Sequence, residues 1–129
     1  MTDEAQRLLA RADQAFRAAE TLLRAGDAES ATSRTYYAMF HAAQALLRTR
    51  EIRYRKHSGV HAGLAAHFVK PGLLDRKYHR WRIDAFDERV RADYDVDYSG
   101  DVEGTRIWLD RAREFLAEAR RLLGTSSEV

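Results

Sequence analysis

The chain has 129 residues, 22 basic and 20 acidic side chains, a net charge of +2 and no cysteine. This length suits one domain that buries its own core, and the lack of cysteine excludes disulfides, thiolate metal sites and a cysteine nucleophile. No apolar run approaches the roughly 18 residues of a membrane span, and the acidic groups and helical period of the first 30 residues lead us to expect no secretory leader there. We therefore expect a cytoplasmic protein that does not cross a membrane.

The first half of the sequence predicts two long helices. Apolar residues recur at helical spacing over residues 2–24, with Thr2 or Asp3 as the cap, and Gly26 follows the end of this helix. A second helix over residues 28–49 is apolar on nearly every face, which is typical of a central helix with neighbours on several sides. The short link between the two makes them antiparallel neighbours.

The second half predicts three more helices. A basic connector, residues 50–57, leads to a short helix that Ser58 caps and that ends near Val69, before the proline-glycine pair at 71–72. Asp75 caps a fourth helix to about residue 93, an acidic loop follows, and a fifth helix runs from residue 101 or 102 to 123. The fold class is therefore all-α: an antiparallel up-and-down four-helix bundle with an additional short helix over residues 1–124, followed by a polar tail, 125–129.

One row of polar residues runs along the otherwise apolar second helix. Arg34, His41 and Arg48 are each seven residues apart, about two helical turns, so they share one face. That face meets either water or a site. In the second case Arg34 and His41 are candidate phosphate ligands.

A second basic group lies just before the third helix. His57 follows Arg53, Arg55 and Lys56, and the start of a helix offers unpaired N–H groups and a positive dipole to an anion. A phosphate group would suit this place, which makes the three basic residues candidate phosphate ligands. The alternative is that His57 bonds backbone atoms in the turn and that the basic side chains are solvated.

Arg89 interrupts an apolar stripe on the fourth helix. It shares its face with Tyr78, Trp81, Ala85 and Ala92, where a charge is costly unless it is paired. Asp93, one helical turn further on, would make a structural ion pair with it. The alternative is that Arg89 is presented to a phosphate group in a cleft.

Four segments occur in an order and spacing that resemble small bacterial and archaeal HEPN-domain proteins. They are Ser33-Arg34-Thr35-Tyr36-Tyr37-Ala38-Met39-Phe40-His41-Ala42-Ala43, Lys56-His57-Ser58-Gly59-Val60, His67-Phe68-Val69-Lys70 and Arg89-Val90-Arg91-Ala92-Asp93-Tyr94-Asp95. The resemblance covers roughly residues 5 to 120. It implies a HEPN-like bundle, a homodimer and a minimal nucleotidyltransferase as partner. In many such pairs the HEPN protein resembles an RNA-cleaving toxin and the nucleotidyltransferase its antitoxin.

The ribonuclease signature of this family is an arginine followed, about four to six residues later, by a histidine. Histidine can move a proton near neutral pH, and arginine can hold the phosphate as charge builds. Arg89 matches the signature arginine, but Asp93 and Tyr94 follow it, and no histidine lies between Arg89 and the C-terminus. We therefore take Arg89, His57 and Tyr94 as the candidate catalytic residues of a non-standard site.

The resemblance also bears on modification and assembly. In related toxin pairs a tyrosine near the signature resembles a target of nucleotide transfer by the antitoxin, so Tyr94 and Tyr98 are candidate modification targets. A second apolar row on the fourth helix, Ile83, Phe86 and Val90, favours a dimer.

Three hypotheses about function remain open. The chain is the HEPN member of a toxin–antitoxin pair, acting as a metal-independent endoribonuclease; or a catalytically silent HEPN dimer that binds nucleotide or nucleic-acid phosphate; or a structural helical adaptor. The histidines form no set that an acidic residue completes, so we expect no metal and no cofactor.

Overall fold

The computed structural model describes residues 2–124, and within them the chain forms five α-helices and no strand. The helices are α1 (Asp3–Arg24), α2 (Ala28–Arg48), α3 (His57–Leu64), α4 (Arg76–Tyr94) and α5 (Val102–Leu123), and a π-helical turn, Ala65–Val69, follows α3. The predicted all-α class is confirmed, with four long helices and a short one. The expected polar tail, residues 125–129, lies outside the described residues.

Contacts between helix ends indicate the direction in which the helices run. Arg48 at the end of α2 forms an ion pair with Glu4 at the start of α1, as an antiparallel pair with a short link requires. The hydroxyl of Tyr78 at the start of α4 donates to Glu114 in the second half of α5, at 2.8 Å. Both pairs of helices therefore run up and down, as the sequence predicts.

The starts of the helices follow the sequence signals with one exception. Each long helix begins after a side chain that accepts a backbone N–H; these caps are Thr2, Asp27, Asp75 and Asp101. The expected cap Ser58 is wrong, because α3 begins at His57 and Ser58 lies in its first turn. Lys56 precedes this helix without a side-chain cap, and His57 is held by a bond to α2 that its position in the sequence does not reveal.

The central helix α2 contacts all four other helices. Tyr36, Met39 and Leu46 are almost completely buried, and they belong to one cluster with Leu64 of α3 and Phe115 of α5. Burial of each large apolar side chain contributes about 1.5–3 kcal/mol. The first half of α2 thereby presents its tyrosines where α3 and α4 meet. Every helix among residues 2–124 is too short or too polar to cross a membrane.

Candidate functional site

The site is built around a hydrogen bond between α2 and α3. The Tyr36 hydroxyl lies 2.7 Å from Nδ1 of His57, the first residue of α3. The His57 ring also contacts two aromatic rings, with centroids 4.4 Å from that of Phe40 and 5.4 Å from that of Phe86. These contacts from α2 and α4 fix the imidazole at the start of α3.

The Tyr36 bond determines which nitrogen of His57 meets a ligand. Tyr36 is fully buried, and burial raises its pKa, so the hydroxyl keeps its proton. His57 Nδ1 is the acceptor within its reach, so Tyr36 donates and the proton of a neutral imidazole lies on Nε2. Burial, and then the positive charges of Arg89 and Arg82, lower the pKa of His57. The ring is therefore neutral at pH 7 and offers Nε2–H as a donor.

Arg89 of α4 lies on the same side. Its side chain is only 12% exposed, and its Nε donates to Asp93 at 3.1 Å. The guanidinium carbon is 5.3 Å from the ring centroid of Tyr37 and 5.8 Å from that of Tyr36. Arg89 therefore forms the ion pair with Asp93 and also lies near His57, whose pKa its charge lowers.

Arg34 of α2 extends this group toward solvent. Its guanidinium carbon lies 4.9 Å from the Tyr37 ring centroid, so Tyr37 has two guanidinium groups near its ring. Arg34 and Asp93 also line one surface cavity of about 380 Å³ with Ser30 and Ser33. The surface combines hydrogen-bond donors with two carboxylates, Asp93, which is already bonded to Arg89, and Glu29, which lines the same cavity.

Arg82 is the residue of this region that sequence reasoning missed. It is 0% exposed, and its three guanidinium nitrogens have no hydrogen-bond partner among the described residues. The stripe was expected to run through Trp81, which is only partly buried, whereas Arg82 takes the fully buried position one turn after Tyr78. The signal was its spacing of two turns from Arg89 along one helical face.

The predicted phosphate ligands of the connector do not all join the side chains around His57. Both Arg53 amino groups donate to the Glu4 carboxylate, at 2.7 and 2.8 Å, so this guanidinium is engaged with α1. Arg55 and Lys56 are exposed on the connector just before His57.

His41 lies one turn along α2 from Tyr37, with ring centroids 6.0 Å apart. Its Nδ1 is 3.2 Å from Gln44 Oε1, and burial lowers its pKa. It lines a separate cleft of about 510 Å³ between α1 and α2, where Arg7 and Arg11 are also found. His41 therefore belongs to a neighbouring basic surface and not to the group of side chains around His57.

The two tyrosines at the end of α4 differ in accessibility. Tyr94 is 75% exposed. The Tyr98 hydroxyl donates to Glu88 at 3.2 Å and lies 3.5 Å from the Thr32 hydroxyl, and the residue is partly buried. Among residues 2–124 no group of three or more His, Asp or Glu side chains is arranged to hold a metal ion.

The helical fold and the grouping of Tyr36, His57 and Arg89 are features of one class of small helical proteins. Comparison with known proteins shows which family this class is. The chain belongs to the HEPN domain family, which matches residues 5–122. The resemblance seen in the sequence is thereby confirmed.

Three similar proteins extend the comparison to individual sequences. The chain is 33% identical over 120 residues to "Putative toxin MJ0142" of Methanocaldococcus jannaschii, covering 93% of this chain and 82% of that protein. It is 32% identical over 122 residues to "Putative toxin MJ0605" of the same archaeon, covering 90% and 91%. A UPF0332 protein of Thermotoga maritima is 31% identical over 113 residues, covering 88% and 86%.

Proposed function

We propose that this protein is the HEPN member of a toxin–antitoxin pair and that its site binds an RNA phosphodiester group and cleaves it without a metal. The observation that carries the proposal is the placement of His57 and Arg89 against the buried Tyr36, with the imidazole bonded to its hydroxyl and the guanidinium near its ring. Two of the relatives carry the printed name "Putative toxin", which supports this class of function.

The chemistry assigns different tasks to the two side chains. The Arg89 guanidinium can hold two phosphate oxygens and stabilise the charge that builds on them. A docked phosphate would also offset the guanidinium charges that lower the pKa of His57. The imidazole can then take up a proton from water on Nδ1, with the Tyr36 hydroxyl turning from donor to acceptor, and give its Nε2 proton to the leaving 5′ oxygen. The ribose 2′-hydroxyl meanwhile attacks phosphorus and loses its own proton to water, which leaves a 2′,3′-cyclic phosphate and a neutral imidazole.

A second candidate function is phosphate binding without cleavage. It is favoured by the bond from Tyr36, because an imidazole whose Nδ1 accepts a hydrogen bond and whose Nε2 carries the proton has no free lone pair. Such a ring donates to a phosphate but cannot accept the 2′-hydroxyl proton. The lack of a histidine after Arg89 favours the same function.

The partners follow from the same proposal. A minimal nucleotidyltransferase would act as the antitoxin and modify Tyr94, since this side chain is open to solvent while the Tyr98 hydroxyl is bonded to Glu88. A homodimer would cover the partly exposed Ile83, Phe86 and Val90 on α4 and bring two sites together.

RNA cleavage by the purified protein in the presence of EDTA tests the proposal. We expect Arg89→Ala to reduce cleavage by about 10²–10³-fold, the size of one lost donor to a developing oxyanion. We expect His57→Ala to reduce it as well. Arg91→Ala is the matched control, because Arg91 is an exposed arginine of the same helix that pairs with Glu88. Its activity should equal that of the wild type.

The other outcomes distinguish the alternatives. RNA binding that falls in Arg89→Ala and His57→Ala without any cleavage by the wild type would establish the phosphate-binding function. Wild-type binding and folding in all three variants would leave only the structural adaptor.

Modification is tested separately, by incubating the protein with ATP and a minimal nucleotidyltransferase of the kind proposed as its antitoxin. Mass spectrometry should find a nucleotide on the wild type and on Tyr98→Phe but not on Tyr94→Phe. Modification that persists in Tyr94→Phe would contradict this assignment while leaving the RNA site untouched.

A further inference from the structure

Arg82 is a buried cation in the middle of α4. It is the largest completely buried side chain, and Nε and both amino groups are buried without a hydrogen-bond partner in the described part of the chain. Burial lowers its pKa to about 10, so the guanidinium remains charged at neutral pH. An unpaired buried charge normally costs a protein stability.

The groups that face Arg82 do not neutralise it. Tyr36 on α2 keeps its proton because burial raises its pKa. His57 and His61 on α3, and His79 on α4, are affected by the Arg82 charge, and all three have lowered pKa values, that of His61 being about 3. These side chains are therefore neutral at pH 7, and none of them supplies a negative charge.

Arg82 is connected to the phosphate site through the aromatic side chains around His57. Phe86 lies one helical turn after Arg82, and its ring centroid is 5.5 Å from that of Tyr36 and 5.4 Å from that of His57. The Tyr36 ring is also 5.6 Å from His57 and 6.4 Å from His61, between centroids, and the Arg82 charge acts on both Tyr36 and His57. Because Arg82 and Tyr36 are both fully buried, water screens the Arg82 charge only weakly. The first turn of α3, which begins at His57, has no side-chain cap.

We propose that Arg82 is a positioning residue of the phosphate site. Its buried positive charge favours the binding of a negatively charged ligand at the start of α3, because no described side chain near it supplies a negative charge. This inference rests on the proposed phosphate-binding function. Arg82 acts through its field and through the Tyr36–His57 pair, whereas Arg89 contacts the ligand. The ligand class is a phosphate group of RNA, and its binding offsets a charge that the empty site leaves uncompensated.

Binding and stability measured together test this role. The variants are Arg82→Met, which removes the charge, and Arg82→Lys, which retains a cationic side chain. Arg80→Met is the control, because Arg80 lies on the same helix, is exposed and pairs with Asp84. The probes are a ten-nucleotide oligouridine and inorganic phosphate, used at pH 8 so that His57 is neutral throughout.

We expect Arg82→Met to bind oligouridine about tenfold more weakly, or about 1.4 kcal/mol, while its Tm is equal to or above that of the wild type. Arg82→Lys should keep most of the affinity, and Arg80→Met should match the wild type. In an NMR titration the His57 midpoint should rise in Arg82→Met and stay low in Arg82→Lys. A purely structural arginine would instead lower Tm and leave the His57 midpoint unchanged.

Wild-type affinity in a folded Arg82→Met overturns the inference, as does an affinity loss that only accompanies unfolding. If Arg82→Met does not fold, the wild type decides: addition of inorganic phosphate should shift the Arg82 Nε–H signal, and an unchanged signal refutes the role. Loss of binding in Arg89→Ala but not in Arg82→Met removes this inference alone. Full binding in both variants removes the proposed phosphate site itself.

Discussion

Substitution of Tyr36 by phenylalanine perturbs the site at a single atom. The aromatic ring and its contacts with Phe40 and Phe86 remain, but the 2.7 Å bond to His57 Nδ1 is lost. One intramolecular hydrogen bond contributes about 0.5–1.5 kcal/mol, and an imidazole nitrogen left without its partner adds to the cost. Because His57 is only partly buried, water can replace part of that loss. We therefore expect Tyr36→Phe to reduce the free energy of unfolding by about 1–2 kcal/mol.

The assay combines urea unfolding with NMR of the imidazole. Tyr36→Phe should lower the free energy of unfolding by that amount and the Tm by roughly 4 °C for each kcal/mol. The nitrogen shifts should report Nε2–H in the wild type and a mixture of tautomers in the variant.

Tyr78→Phe is the matched control for this substitution. It removes a phenol hydroxyl that donates to Glu114 at 2.8 Å, at a distance from His57, so it should change stability without changing the tautomer. Finding Nδ1–H on His57 in the wild type, or the same tautomer in Tyr36→Phe, would refute the reasoning.

Three further predictions concern pH, capping and charge. Folding lowers the pKa of His61 from 6.5 to about 3, so its contribution to stability is complete above pH 6.5 and is lost as the pH falls toward 3. In urea unfolding, His61→Leu should therefore reduce the fall in unfolding free energy over this pH range, by up to about 1.4 kcal/mol per pH unit. Asp101→Ala should lower the free energy of unfolding by about 1 kcal/mol, because it removes the cap of α5; an unchanged value would contradict this. In oligouridine titrations at several salt concentrations, Arg55→Ala should weaken binding and reduce the salt slope by about one, whereas Arg53→Ala should bind like the wild type because Glu4 already holds its guanidinium.

The helices could be predicted from the sequence because their signals are local. Apolar spacing and caps such as Asp75 and Asp101 act within one or two turns, and the structure begins α4 and α5 after these residues. Ser58 failed as a cap because the start of α3 is fixed by a contact with α2. Local capping preference carries no information about such a contact.

The site could be predicted only in part for the same reason. Arg89 and Asp93 are one turn apart on one helix, so their ion pair follows from spacing. Tyr36 and His57 are 21 residues apart across an irregular connector, and no periodicity relates them. Arg82 was missed because the apolar stripe was drawn through Trp81, the larger apolar residue beside it, whereas the structure buries Arg82 completely. A charged side chain is seldom fully buried, so its residue type gives no hint of this position.

The most direct test of the phosphate site is the titration of His57 with and without bound RNA. A 2′-O-methyl oligouridine cannot be cleaved through the 2′-hydroxyl, so binding is observed alone. The His57 midpoint, which is lowered in the free protein by burial and by Arg89 and Arg82, should rise when the oligonucleotide binds. In Arg89→Ala, binding should be weakened and the RNA-dependent rise should disappear. An unchanged His57 midpoint in saturated wild-type protein would contradict the account.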